Sequence, residues 1–170
     1  MIKPVPQKRH QKSPTPIRRA LRADSSLQPN VKDGLGAVKS AHREYFEVIA
    51  RASLADSLDI DEGLKKGREQ ENRWDYLLGH DASKKLIAVE PHSADNSEIT
   101  TVIKKRGAAI RQLQTHFRSG TNVAKWIWVA SGKVRFLQFE KTRILLDQNG
   151  IEFVGGKIKL KHLGSCSGIC

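Results

Sequence analysis

The stretch RWDYLLGHDASKKLIAVEPHSA, residues 73–94, decides the fold, because it contains two apolar runs separated by a polar turn. We predict that WDYLLG and KLIAVEPHSA are strands of an antiparallel hairpin joined by HDASK. Proline has no backbone N–H, so Pro91 is expected near an edge or the end of its strand. The hairpin also carries the carboxylates of Asp75 and Glu90 and the imidazole of His92, which a purely structural hairpin does not need.

These three side chains are expected to lie close together. Side chains alternate between the two faces of a strand, so Glu90 and His92 share a face, and antiparallel pairing brings Asp75 towards residues 88–92. Two neighbouring carboxylates repel each other unless a cation compensates them, and oxygen ligands favour a hard divalent ion. We therefore predict that Asp75 and Glu90 bind Mg²⁺ or Mn²⁺. Such an ion promotes phosphodiester hydrolysis, because it activates water and stabilises charge on a phosphoryl oxygen.

Periodicity predicts the elements around the hairpin. Apolar residues recur every three or four positions in residues 35–58 and 96–118, which indicates two amphipathic helices. Asp95 and Glu98 have the spacing of a capping box for the second helix. We predict strands at KWIWVAS and KVRFLQF across a Ser131–Gly132 turn, a helix at KTRILLDQNG, and one or two short strands in IEFVGGKIKL. This order indicates an α/β sandwich with a mixed sheet, in which the second helix crosses from the hairpin to KWIWVAS.

This layout resembles the PD-(D/E)XK nuclease superfamily, which has a helix, a strand hairpin, a helix and a further strand, with an Asp on the first strand of the site and (D/E)-x-K on the next. The resemblance covers residues 35–158 in element order. Asp75 in RWDYLL matches the first acid and Glu90 in AVEPH matches the second, so the resemblance implies that both are metal ligands and catalytic residues. It also implies a restriction-endonuclease-like three-layer sandwich, with helices flanking a mixed central sheet, and nuclease activity.

The chain departs from the superfamily pattern at His92, which stands where the motif has a lysine. That lysine orients the attacking water, whereas a histidine with a reference pKa of about 6.5 is mostly neutral at pH 7. We expect His92 to act as a ligand or proton acceptor. Some members supply the lysine from the following helix, where VIKKRG contains two candidates. We assign Lys104 to the catalytic set and Lys105 to nucleic-acid binding, while Arg106 falls on the apolar helix face and needs a partner.

Charge points to a polyanionic partner. The net charge of +12 favours DNA or RNA, and residues 1–33 supply half of it together with five of the six prolines. We predict a basic, proline-rich, disordered arm over residues 1–33 with one short helix at PIRRALRA, a nuclease-like α/β domain over residues 34–163, and a flexible tail over residues 164–170. The expected nucleic-acid contacts, besides Lys105, are the basic residues Lys8, Arg9, Lys12, Arg18 and Arg19.

Other classes of protein are disfavoured. No apolar run approaches the roughly 18 to 20 residues of a membrane span, and the N-terminus lacks the apolar stretch of a secretory signal, which predicts a cytoplasmic protein with no membrane partner. Cys166 and Cys170 make neither a disulfide framework nor a complete zinc site.

Several interpretations stay open at this point. The chain is a metal-dependent nuclease, a catalytically inactive nuclease fold that binds nucleic acid, or an α/β domain of a protein complex whose basic arm meets an acidic partner. The two carboxylates could also end strands or pair with Arg106, and the helix lysines could face solvent. The oligomeric state and the choice between DNA and RNA are undetermined.

Overall fold

The computed structural model describes residues 13–164, which are built around one six-stranded sheet in the order β1-β2-β3-β4-β5-β6. The pairs β1–β2, β2–β3 and β3–β4 are antiparallel, whereas the pairs β4–β5 and β5–β6 are parallel. The chain therefore belongs to the predicted α/β class with a mixed sheet. The strand bounds are β1 Lys32–Asp33, β2 Leu54–Asp59, β3 Tyr76–His80, β4 Leu86–Asp95, β5 Lys125–Arg135 and β6 Glu152–Phe153.

Two helices connect the parallel strands, because the chain must return to the same end of the sheet before the next parallel strand begins. α5 links β4 to β5, as predicted, and α6 links β5 to β6. The helix bounds are α1 Pro16–Ala20, α2 Ser40–Arg43, α3 Val48–Ala52, α4 Ile60–Leu64, α5 Ile99–Gln114, α6 Phe139–Gln148 and α7 Leu160–Leu163. Among the described residues, no helix combines the length and the apolar character needed to cross a membrane.

The predicted hairpin is confirmed, and its register places the acidic residues. Tyr76 pairs with Val89 and Gly79 pairs with Leu86. β4 is a central strand, however, and Pro91 is buried within it rather than at an edge. The pairing of β3 with β4 ends at Val89, so Pro91 lies beyond it, where the recorded partner is Val129 of β5.

Alternating side chains of the central strands fill two cores, one on each face of the sheet. The core beneath α5 contains Leu77, Ala88, Trp126 and Trp128 together with Val102, Ala109 and Leu113 of the helix. The core on the opposite face contains Tyr76, Leu78, Ile87, Val89, Ile127 and Val129. Glu90 and His92 alternate in step with Ala88, so they lie on the α5 side of the sheet.

Residues 35–58 do not form the single helix that their periodicity predicts. The segment is divided into α2, α3 and the strand β2. Both faces of β2 are covered, and its pairing with β1 and β3 determines its conformation. Tertiary pairing thus overrides a local pattern, as it commonly does for short segments.

Two further local predictions are wrong. KWIWVAS and KVRFLQF are not separate strands, because β5 continues through Ser131 and Gly132 while its far end pairs with the end of the long strand β4. Asp95 makes no side-chain cap for the following 3₁₀ turn and α5, and Glu98 is engaged with His92 instead.

The predicted boundary between an arm and a domain at residue 33 is also wrong. Residues 13–33 are folded, and Ile17, Leu21, Leu27 and Val31 are buried in the core beneath α5. α1 occupies the place of the predicted short helix. Lys8, Arg9 and Lys12 fall in residues 1–12, which together with residues 165–170 lie outside the described residues.

Candidate functional site

Asp75 and Glu90 meet where β3 begins. Because Tyr76 pairs with Val89, the preceding residue Asp75 lies beside Glu90 of β4. The backbone N–H of Asp75 donates to Oε2 of Glu90 at 2.8 Å. Glu90 is fully buried, whereas Asp75 is partly exposed. Asp75 and Glu90, called the acidic pair below, are therefore neighbours across the hairpin, as predicted.

α5 delivers an ammonium group to the acidic pair. Nζ of Lys105 donates to Oε1 of Glu90 in an ion pair. Lys105 follows buried Val102 by three positions and precedes buried Ala109 by four, so the helix turns it towards the sheet. Lys104 is exposed on the outer face. This corrects the assignment from sequence, because Lys105 rather than Lys104 is the helix lysine at Glu90.

His92 lies next to the acidic pair and is oriented by a second glutamate. Its Nδ1 is 3.6 Å from Oε1 of Glu90, and its Nε2 is 2.7 Å from Oε2 of Glu98. An ionised carboxylate can only accept, so Nε2 carries a proton towards Glu98 and Nδ1 faces Glu90. The indole N–H of Trp128 donates to the backbone carbonyl of His92 at 3.2 Å and holds this part of β4 in place.

The electrostatics of the acidic pair disfavour two negative charges. Burial, followed by repulsion from Asp75, raises the pKa of Glu90 to about 8, although Lys105 favours the ionised form. Burial also raises the pKa of Asp75, and Lys105 opposes that shift while Asp61 adds to it. Asp61 is held nearby, since its carboxylate accepts from Nε of Arg73 at 2.8 Å. A further cation beside Asp75 and Glu90 would relieve this repulsion.

The donor atoms suit a hard divalent cation. Asp75 and Glu90 supply carboxylate oxygens, the ligands that Mg²⁺ and Mn²⁺ prefer. Within residues 13–164, no three His, Cys, Asp or Glu side chains are grouped as a metal site. The protein ligands would therefore be these two carboxylates, and water and backbone oxygens would complete the coordination, as is usual for Mg²⁺.

Arg106 and Arg18, two basic residues singled out from the sequence, make structural contacts. The guanidinium of Arg106 lies 5.4 Å from the ring centre of Trp126 and does not pair with the acidic pair. Both tryptophans of β5 are buried in the core. Arg18, predicted to contact nucleic acid, instead donates to Asp33 at 2.8 Å and to the carbonyl of Val31, and so ties residues 13–33 together. Arg19 is exposed.

Sequence reasoning missed a groove on the outer face of α5, which we call the α5 groove. It has a volume of about 630 Å³ and lies between the loop of residues 68–72 and α5 from Lys104 to Thr115. Three cationic side chains line it, those of Arg68, Lys104 and Arg111. The spacing of Lys104 and Arg111, two turns apart on the polar face of a predicted helix, was the available signal.

Comparisons with known proteins identify no relative. Neither models of protein families, nor curated proteins, nor solved structures match the chain.

Proposed function

We propose that the chain is a divalent-metal-dependent nuclease with a restriction-endonuclease-like fold, which hydrolyses phosphodiester bonds of DNA or RNA. The observation that carries the proposal is the acidic pair on adjacent strands with the ammonium of Lys105 bonded to Glu90. The PD-(D/E)XK pattern requires the same three elements, two acids and a cation. The hairpin, crossover helix and parallel strand follow each other in the order that the resemblance implies.

Asp75 and Glu90 would hold the Mg²⁺ or Mn²⁺ ion. When bound, such an ion lowers the pKa of water and stabilises negative charge on a phosphoryl oxygen. Lys105 takes the role of the motif lysine that His92 replaces. Glu90 fixes the position of its ammonium group, so that its positive charge would stabilise the negative charge that develops on the phosphate.

His92 would accept a proton in this reaction. Glu98 binds the N–H at Nε2, which leaves Nδ1 as the basic nitrogen on the side of Glu90. A histidine in that state serves as a general base for an attacking water. Glu98 acts as its positioning residue, because it fixes which nitrogen carries the proton.

A catalytically inactive nucleic-acid-binding fold is the second candidate, and the ion pair itself favours it. Lys105 already contacts Glu90, one of the two proposed ligands, and favours its ionised form without any metal. A metal must then compete for Glu90 with an internal cation, or share it. The two candidates differ in whether metal binding is followed by cleavage.

Metal titration and a cleavage assay test the proposal. We expect calorimetry to show that Glu90→Ala weakens Mn²⁺ binding at least tenfold, as expected when a carboxylate ligand is lost. Cleavage of plasmid DNA or RNA should require Mg²⁺ or Mn²⁺, and Glu90→Gln and Lys105→Ala should each lower its rate by about 100-fold. Lys141→Ala, at an exposed site on α6, is the charge-matched control for Lys105→Ala.

The outcomes separate the candidates. Mn²⁺ binding by the acidic pair without cleavage would support the inactive fold. Equal Mn²⁺ affinity in the parent and in Glu90→Ala would contradict a metal site at these residues.

A further inference from the structure

The α5 groove is a second feature that the proposed chemistry does not use. Arg68, Lys104 and Arg111 supply three positive charges, and Glu71 is the acidic residue in its lining. The carboxylate of Glu71 is already engaged, because Oε2 accepts from Nε2 of Gln112 at 3.2 Å and lies 3.8 Å from Arg68. The groove therefore offers net positive charge to a ligand.

The floor of the α5 groove lets a ligand approach closely. Lys104 and Arg111 are seven residues apart, which places them about 10.5 Å apart along the helix axis. Gly107 and Ala108 lie between them in the lining. Gly107 has no side chain and Ala108 has only a methyl group, so the helix surface is low here, and Nη1 of Arg111 reaches over Gly107.

The opposite wall of the groove is held in place. Nε2 of Gln112 donates to the carbonyl of Asn72 at 3.0 Å, which fastens the loop to α5. Arg73 is buried and donates to the carbonyls of Arg68 and Glu71. A preformed wall lowers the entropy cost of ordering the loop when a ligand binds.

Both walls of the α5 groove belong to chain segments that also carry residues of the candidate site. Asn72 is three residues before Asp75, and Lys104 directly precedes Lys105. On α5, successive residues differ by about 100° around the axis, so Lys105 faces Glu90 while Lys104 faces the groove. The groove and the candidate site are thus built by the same two segments, residues 68–75 and α5.

We propose that the α5 groove binds the sugar-phosphate backbone of a single nucleic-acid strand and leads it to the acidic pair. The role as substrate path rests on the proposed function. A volume of about 630 Å³ is that of a site for a small ligand, which suits a short piece of one strand rather than a duplex. Positively charged grooves that follow the backbone are the usual way in which proteins bind single strands without sequence preference.

Fluorescence anisotropy of the full chain with a labelled oligothymidine of about 12 nucleotides, in EDTA, tests the proposal. We expect the double variant Lys104→Ala/Arg111→Ala to bind at least tenfold more weakly at about 0.1 M salt. The slope of log K against log salt should fall by about 1.4, since each of two lost phosphate contacts contributes about 0.7 for a single strand. The charge-matched control Lys133→Ala/Lys141→Ala, at exposed positions outside the groove lining, should lose less than threefold.

Several outcomes would overturn the groove proposal. Equal losses of affinity in the two double variants would mean that binding depends on the overall positive charge and not on the groove. Tighter binding of a duplex of the same length would reject the single strand. Groove-dependent binding of polyglutamate, without binding of the oligonucleotide, would identify an acidic protein partner instead.

Cleavage of the same oligonucleotide separates this proposal from the proposed function. If the parent protein binds through the groove but does not cleave with Mg²⁺ or Mn²⁺, the nuclease proposal fails and the groove remains a strand-binding site. If the parent cleaves and Lys104→Ala/Arg111→Ala cleaves with unchanged KM, the groove proposal fails and the nuclease proposal stands. A raised KM with the same thermal midpoint supports both.

Discussion

The side chains of Asp56 on β2 and Glu90 on β4 are both fully buried carboxylates, yet their surroundings differ. Oδ2 of Asp56 accepts from the backbone N–H groups of Ile17 at 3.0 Å and Arg18 at 3.4 Å, so it fastens α1 to the sheet. Glu90 has a second carboxylate and an ammonium beside it. Burial raises the pKa of both groups. Burial alone therefore does not mark a functional site, whereas a neighbouring acid and cation do.

The largest expected effect comes from removing the segment that Asp56 holds. A chain without residues 1–31 loses Ile17, Leu21, Leu27 and Val31 from the core, each worth about 1.5–3 kcal/mol. That loss is comparable with the whole stability of a domain, about 5–15 kcal/mol. We expect no cooperative thermal unfolding by circular dichroism, whereas a chain lacking only residues 1–12 should unfold cooperatively. A folded 1–31 deletion would show that Asp56 anchors a dispensable segment.

The same segment shows why part of the fold escapes prediction from sequence. Its prolines indicate disorder by composition, but Pro16 begins α1 and Pro29 lies in the first turn of a 3₁₀ helix. Proline is favoured at such positions, because its fixed φ suits a first turn and its missing N–H is not needed there. The sequence LADSLD of β2 likewise depends on distant partners, β1 and β3, which no local pattern reveals.

The acidic pair was predictable because it depends on local pairing and not on distant partners. Asp75 and Glu90 belong to one hairpin, whose register follows from alternating apolar residues and a short turn. Predicting Lys105 required more information, because the choice between Lys105 and Lys104 depends on which helix positions face the sheet. Val102 and Ala109 mark that face only once α5 is known to pack through them.

A smaller effect is expected at Gly79, which packs against Asp56. A Cβ at this position would overlap Oδ1 of Asp56 and lie 2.9 Å from Cβ of Pro16. We expect Gly79→Ala to lower the free energy of unfolding by about 2–4 kcal/mol in urea, through overpacking and a disturbed carboxylate. Gly156→Ala is the control, because nothing lies within 4 Å of its Cβ. Equal urea midpoints for the two variants would show that Asp56 is loosely held.

For each pH unit, the smallest expected effect is a dependence of stability on pH. In the folded protein, burial and Asp75 raise the pKa of Glu90 to about 8 despite Lys105, whereas in the unfolded chain the reference pKa of 4.5 applies. Between these values the folded state binds the additional proton, so the free energy of unfolding falls as pH rises, by at most about 1.4 kcal/mol per pH unit. Glu90→Gln should remove the part of this slope that Glu90 causes, which urea unfolding at pH 5, 6, 7 and 8 without metal would measure. Parallel curves for the parent and Glu90→Gln would contradict a raised pKa.

Adding Mn²⁺ to this measurement distinguishes the two carboxylates. The pKa of Asp56 is also raised by burial, so Asp56→Asn should likewise remove part of the pH dependence in the absence of metal. A bound cation requires ionised ligands, and its stabilising effect therefore grows as pH rises towards 8. We expect Mn²⁺ to oppose the loss of stability with pH in the parent and in Asp56→Asn, but not in Glu90→Gln. If Mn²⁺ had the same effect in all three proteins, Glu90 would be a buried structural carboxylate like Asp56.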